Sequence, residues 1–172
     1  MNTSSRIALV TGATRGIGLE TVRQLAASGV HTLLAGRNRE RAVEAALKLQ
    51  ADGLPVEAIA LDITNAADIA SAAKAIEDRH GRLDILVNNA GILADDPQLG
   101  AAGQSIDTWR TTFETNVFGL IATTQALLPL LHRSTAGRIV NVSSLLGSIS
   151  AHQDPESFIY DFKGVPAYNV SK

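Results

Sequence analysis

The run Ile7-Ala8-Leu9-Val10-Thr11-Gly12-Ala13-Thr14-Arg15-Gly16-Ile17-Gly18 decides how the rest of the chain is read. Ile7 to Val10 is a short continuous apolar stretch with β-branched character, the pattern of a strand buried on both faces, and it passes at once into a Thr-Gly turn. A helix starts inside the glycine run. Ile17, Val22, Leu25 and Ala26 fall near one face at helical spacing, and Gly29 closes the pattern as a C-terminal cap. Glycines between a strand and a helix let the backbone turn sharply and approach a pyrophosphate. The phosphate charge then meets unpaired N–H groups and the positive end of the helix dipole. Taken alone, the run also fits a strand-to-helix turn that binds nothing. A lysine-bearing P-loop is excluded, because no Gly-Lys-Ser/Thr follows.

Working outward, the alternation repeats: strand His31 to Ala35, helix Arg39 to Ala51, strand Val56 to Leu61, helix Ala66 to His80, strand Ile85 to Val87. A long helix is expected from about Asp107, where Trp109, Phe113, Val117, Leu120, Thr124, Leu127 and Leu131 step by three or four along one stripe. Gly137 is expected to end it before a strand from Arg138 to Val142. Strand and helix in strict alternation predict parallel strands joined by right-handed crossovers, a doubly wound α/β sheet covered on both faces. From Leu145 to Val165 periodicity is lost and Gly, Ser, Asp and Pro accumulate, as in a functional or mobile loop rather than a mere connector.

The composition narrows the function classes. At 172 residues the chain has room for one domain with a substantial core. Its 15 basic and 17 acidic residues leave a net charge of −2, so no broad basic field gathers nucleic acid or an anionic membrane. The absence of cysteine excludes disulfides, thiolate metal sites and cysteine nucleophiles, and favours a reducing compartment. The start, Met1 to Arg6, is polar and lacks the build of a signal peptide, and the longest apolar stretch, Gly119 to Leu131, is too short to span a bilayer. A cytoplasmic protein is expected. His31, His80, His132 and His152 show no ligand spacing, so no metal is assigned.

The glycine spacing is Gly-x-x-x-Gly-x-Gly after a threonine, and four further marks follow in order: Leu61-Asp62-Ile63, Asn88-Asn89-Ala90-Gly91, Asn116 within the long helix, and Ser143-Ser144. Tyr168-Asn169-Val170-Ser171-Lys172 completes them as a YxxxK signature. From Arg6 to Lys172 the chain resembles the short-chain dehydrogenases/reductases of the classical type. The resemblance implies a Rossmann-type, three-layer α/β/α fold with a doubly wound, mostly parallel sheet. It also implies an oxidoreductase that moves a hydride between a nicotinamide dinucleotide and a carbonyl/alcohol pair on a small organic substrate, and a homo-oligomer in the longer form.

Residue by residue, the resemblance makes Asn116, Ser144, Tyr168 and Lys172 the catalytic set. Tyr168 and Lys172 are i and i+4, so on a helix they share a face, and an ammonium beside a phenol favours the phenolate. Tyr168 would exchange a proton with the substrate oxygen, Ser144 would hydrogen-bond that oxygen, Lys172 would also bind the nicotinamide ribose, and Asn116 would hold a water linking Lys172 to solvent. Ser144 is preferred to Ser143 because the family's serine is the second of such a pair. Cofactor contacts fall to Gly12, Thr14, Arg15, Gly16, Ile17, Gly18, Arg37, Asp62, Ile63, Asn89, Ala90 and Gly91, together with Tyr168 and Lys172. Of these, Asp62 would meet the adenine ring, while Asn88 to Gly91 would stabilise the central sheet. A 2′-hydroxyl of NAD is usually held by an acid roughly 20 residues past the glycine turn, whereas a 2′-phosphate calls for arginine. Here the second strand ends Ala35-Gly36-Arg37, and Arg15 lies in the glycine loop, so NADP(H) is expected over NAD(H).

Two departures from the family pattern are expected to matter. The stretch from Ser144 to Tyr168 is longer than usual, with an insertion around Ala151 to Lys163 that bears on the serine-to-tyrosine geometry. Family members also continue past the YxxxK lysine into the part that sets substrate specificity. The 172 residues therefore read as a single dinucleotide-binding domain, incomplete at the C-terminus, with the substrate-binding part absent and Arg138 to Val142 left as an exposed apolar edge. In that form it is expected to bind cofactor poorly and to turn over little, whether the shortening belongs to the record or to nature. The alternatives are a non-catalytic dinucleotide-binding protein or an inactive fragment of an enzyme.

Overall fold

A computed structural model of the protein describes residues 5–172; the polar residues 1–4, on which the reading of the N-terminus partly rests, lie outside the described residues. The chain forms two compact units. One runs up to Ala90 and resumes over Leu120–Asn141, and the other takes Gly91–Gly119 and Val142–Lys172.

The first unit holds the sheet. Strands β1 (Ile7–Val10), β2 (His31–Gly36), β3 (Val56–Ala60), β4 (Ile85–Asn88) and β5 (Arg138–Asn141) pair in the order β3-β2-β1-β4-β5, and every pair is parallel. Helices α1 (Gly16–Ala27), α2 (Arg39–Ala51) and α3 (Ala66–His80) form the crossovers, and α5 (Leu120–His132) precedes β5. This is the doubly wound, Rossmann-type arrangement expected of strict alternation. β1 sits in the middle and is buried along its whole length. Leu9, Leu33, Leu83 and Leu86 are at most 1% exposed, and burying each is worth roughly 1.5–3 kcal/mol. β5 is an edge strand whose Ile139 and Val140 are 43% and 48% exposed, so it presents the apolar edge expected of residues 138–142.

Local chemistry sets the element ends. Asn38 caps α2 by accepting from Arg41 N at 2.9 Å, and Asn65 caps α3 by accepting from Ala67 N and Asp68 N. After α1, Gly29 is left-handed (φ 84°); its N–H reaches Ala26 O, and that of Val30 reaches Leu25 O. These two bonds are a Schellman motif, with Gly29 one residue beyond the capping Ser28. The N-terminus of α1 differs from those of α2 and α3. Arg15 gives it no side-chain cap, and its first turn has no acid.

The second unit holds α4 (Ile106–Phe113), a π-turn (Glu114–Gly119), a 3-10 turn (Leu145–Gly147), α6 (Ile149–Gln153) and α7 (Pro166–Ser171). Three expectations are corrected here. The long helix expected from Asp107 is divided by the π-turn into α4 and α5. Thr112, Asn116, Gly119 and Thr123 are the buried positions where the stripe placed Phe113, Val117, Leu120 and Thr124. Gly137 does not end the run, because α5 stops at His132, where Arg133 N and Ser134 N turn back onto Leu130 O and Leu131 O. Residues 145–165 are also partly helical, since Ser144 and Ser148 cap successive short turns with their hydroxyls.

Candidate functional site

In the first unit the glycine run packs onto the end of β4. Thr11 N continues the parallel ladder to Val87 O at 3.0 Å, and its Oγ1 accepts from both Asn89 N (3.1 Å) and Ala90 N (3.0 Å). Asn89 returns the contact, donating from Nδ2 to Thr11 O at 2.8 Å and Gly12 O at 3.2 Å. Two glycines are fixed by this closeness. A Cβ on Gly12 (φ +62°) would lie 2.7 Å from Ala90 Cα, and one on Gly18 would lie 2.4 Å from Asn89 Nδ2. Gly16 (φ +58°) is different, since a Cβ there would meet nothing within 4 Å. The turn is therefore filled by protein on one side and open on the other, next to an uncapped helix N-terminus. Such a terminus offers backbone N–H groups and a positive dipole end to an anion.

The remaining cofactor candidates of this unit border the turn through β2. Gly36 lets Thr14 approach so closely that a Cβ on Gly36 would lie 2.5 Å from Thr14 Cγ2, and Ala13 N donates to Ala35 O at 2.8 Å. Arg15 and Arg37, each one residue beyond a partner in that contact, are exposed, as is Ile17 at 69%. Leu61 N donates to Gly36 O, which brings Asp62 just past the end of β2. The Asp62 carboxylate is turned back on its own chain, accepting from Thr64 N and Thr64 Oγ1, and Ile63 is buried. Asn88 bridges the sheet, its Nδ2 donating to Asn141 Oδ1 at 2.9 Å and Thr124 Oγ1 at 3.0 Å.

In the second unit, all four residues of the expected catalytic set occur together with Gly91. Lys172 Nζ donates to Val142 O at 3.1 Å and stands 5.9 Å from the centroid of the Tyr168 ring. Burial holds the Lys172 ammonium below the ordinary lysine range. A Cβ on Gly91 would lie 3.1 Å from Lys172 Nζ and 3.3 Å from Asn116 Oδ1, so the missing side chain is what lets these two groups converge. Asn116, in the π-turn, accepts from Ile92 N with Oδ1 (2.8 Å) and donates from Nδ2 to Ile92 O (2.9 Å) and Ser171 Oγ (2.8 Å). Both of its amide hydrogens are therefore spent. Ser144 Oγ accepts from Leu146 N at 3.2 Å, which leaves its O–H free to donate, whereas Ser143 Oγ donates to Lys172 O. Gly147 lies against the backbone of Lys172, 2.5 Å from a built Cβ to the carbonyl carbon. Residues 151–163 are anchored in the same unit: Ile159 is 2% exposed, and His152 Nε2 lies 3.0 Å from Leu146 O and 3.3 Å from Asn169 Nδ2.

Sequence reasoning missed Asp95. It is 6% exposed and accepts from Ala167 N at 2.7 Å and Tyr168 N at 3.0 Å, capping α7 from 70-odd residues away. No local pattern marks a cap supplied at that distance. It also missed that His31, Glu57 and His80, from β2, β3 and α3 of the first unit, stand together.

The family model described as short chain dehydrogenase matches residues 6–155. This chain belongs to the short-chain dehydrogenase/reductase family. It is 40% identical over 172 residues to a short-chain dehydrogenase of Penicillium roqueforti, covering 96% of this chain and 67% of that protein. It is also 41% identical over 162 residues to short-chain dehydrogenase/reductase 1 of Saponaria officinalis, covering 83% of this chain and 54% of that one. The chain thus spans between about half and two thirds of the length of these curated relatives. Among solved structures, a gluconate 5-dehydrogenase from Burkholderia cenocepacia in complex with NADP and tartrate superposes with a TM-score of 0.82 at 29% identity, over 97% of this chain and 60% of that one. Short-chain dehydrogenases/reductases are oxidoreductases that use a nicotinamide dinucleotide, and the glycine turn with its open side has the form such a ligand requires. Among the described residues no helix is long and apolar enough to cross a membrane.

Proposed function

We propose that the chain carries the dinucleotide-binding and proton-transfer parts of an NADP(H)-dependent oxidoreductase that interconverts a carbonyl and an alcohol on a small organic substrate. The observation that carries this reading is the convergence of the Lys172 ammonium and the Asn116 carboxamide on the notch left by Gly91, with the Tyr168 ring beside the ammonium. A protein that only binds a dinucleotide has no need of a matched proton-transfer group.

NADP(H), when bound, supplies or accepts the hydride. Its pyrophosphate fits the open side of the Gly12–Gly18 turn and the uncapped start of α1, and its 2′-phosphate suits Arg37 and Arg15, because no acid stands at the end of β2. Tyr168 exchanges a proton with the substrate oxygen, and Ser144 donates its free O–H to the same oxygen. Lys172, made a readier proton donor by burial, recharges the phenol. A water linking Lys172 to solvent has to use the remaining lone pair of Asn116 Oδ1 or the backbone, because both amide hydrogens are engaged. The absence of cysteine supports the cytoplasm as the compartment.

The test is NADPH and NADH oxidation against a panel of aldehydes and ketones by a form extended past Lys172 with the C-terminal third of a family relative, with dinucleotide binding measured in parallel and Tyr168→Phe in that form as the control. Turnover with NADPH that Tyr168→Phe removes, while binding persists, is the expected result. Binding without oxidation of either dinucleotide across the panel would leave a binding protein, and no binding of either would overturn the reading entirely.

A further inference from the structure

His31 opens β2, Glu57 is the second residue of β3, and His80 ends α3, so the first unit gathers three metal-ligating side chains at the start of β2 and of the edge strand β3. This is the end of the strands opposite the glycine turn. The Nε2 atoms of His31 and His80 each lie 3.6 Å from the same carboxylate oxygen, Glu57 Oε2, and the three atoms fall within 4.8 Å of one another. At 3.6 Å neither contact is a hydrogen bond. Both Nε2 atoms are buried and, among the described residues, neither has a hydrogen-bond partner. Leaving a buried polar atom unpaired costs about 1–3 kcal/mol, and here the cost is incurred twice at a single point.

We propose that His31, Glu57 and His80 form a site for one divalent transition-metal ion of the zinc class. A zinc–nitrogen bond of about 2.0–2.1 Å in tetrahedral geometry sets its ligand atoms ~3.4 Å apart. The two His–Glu separations, at 3.6 Å, are close to that value. Two imidazoles and one carboxylate leave a fourth position for water. The end of α3, where His80 stands, presents the negative end of the helix dipole to a cation. One group opposes the ion. The Arg79 guanidinium pairs with Glu57 Oε1, but its side chain is 57% exposed and free to swing into solvent. An ion at this point ties β2, β3 and α3 together, so its role is to brace the sheet edge, independently of the reaction proposed above.

The protein is titrated with Co²⁺ and Zn²⁺ after chelator treatment. One Co²⁺ per chain with visible d–d bands, displaced by Zn²⁺, is expected, along with a melting temperature that rises with Zn²⁺ and falls back with chelator. His31→Gln and His80→Gln should each weaken binding by at least roughly tenfold, the least that losing a metal site's partner costs, and Arg79→Ala should tighten it. Should either glutamine variant fold poorly, the imidazole resonances of the unaltered protein decide the matter. Zn²⁺ should move those of His31 and His80 and leave those of His132 and His152. Binding that survives both substitutions, resonances of His31 and His80 that stay unmoved, or no binding at all would overturn the proposal.

Discussion

Asp95 holds Tyr168 by its backbone rather than its hydroxyl: Oδ2 accepts the Tyr168 N–H at 3.0 Å while Oδ1 accepts that of Ala167 at 2.7 Å. The helix it caps is six residues long, starts with Pro166 at its first turn, and has Val165 at the capping position, which offers no side-chain acceptor. A helix so short does not hold itself together in water. The remote carboxylate therefore supplies what the local sequence lacks.

Removing that cap should disturb proton transfer before it disturbs dinucleotide binding. Asp95→Ala is expected to lower stability by about 2 kcal/mol and, by letting Tyr168 drift, to lower kcat by roughly 100-fold. The NADPH dissociation constant should change little. Asp95→Asn, which keeps one acceptor, should fall between. Denaturant unfolding, steady-state kinetics and binding titration read the three quantities separately.

Gly12 and Gly16 should fail in different ways. Both are left-handed, but only at Gly12 does a Cβ run into the protein, 2.7 Å from Ala90 Cα. Gly12→Ala is expected to cost about 2–5 kcal/mol of stability from the combined backbone and packing penalties. Gly16→Ala should cost only about 1–2 kcal/mol, yet weaken dinucleotide binding by more than its stability loss explains, because the new methyl stands on the open side of the turn. Paired unfolding and NADPH titrations of the two variants would show the difference.

In a full-length form, Arg37→Asp should reverse or abolish the preference for NADP(H). A lost charge-assisted contact to phosphate is worth about 1.5–3 kcal/mol, enough to change the ratio of NADP to NAD affinity by at least roughly tenfold. An unchanged ratio would remove Arg37 from cofactor selection.

Asp84 should show its contribution through acid unfolding. Burial works to raise its pKa, but hydrogen bonds from Ser134 Oγ, Ile7 N and Arg82, with the Arg82 charge, outweigh burial and bring it below the ordinary value of 3.8. With the folded value depressed, the stabilisation is present in full above pH ~4 and is lost as pH falls through the folded value. Asp84→Asn should cost about 1–3 kcal/mol at neutral pH, and the gap to the unaltered protein should close in strong acid. Urea unfolding across a pH series would measure it.

The crossover elements were legible because their signals are local. Arg39–Ala51 and Ala66–His80 each follow an asparagine cap and show helical periodicity, and Ile7–Val10 is a bare apolar run. The YxxxK pair, Ser144, Asn116 and Gly91 were named from their motifs, and all of them lie in the second unit. What escaped depends on distance along the chain. The π-turn at Glu114–Gly119 leaves the apolar spacing almost intact, so periodicity alone extends the helix straight through it. Asp95 acts on a helix that begins at Pro166. His31 and His80 lie on separate elements, and only the parallel register of β2 with β3 brings Glu57 between them.

The central place of β1 also sets a timetable. Its register with β2 joins Ile7 to His31, but its other edge must wait for β4, and the bond from Ile7 N to Asp84 spans 77 residues. At a synthesis rate of 5–20 residues per second, a nascent chain carries that apolar edge without its partner for about 4–15 s. During that interval the most buried strand of the finished protein is an open template for another chain. Slow synthesis between residues 31 and 85 lengthens that interval in direct proportion.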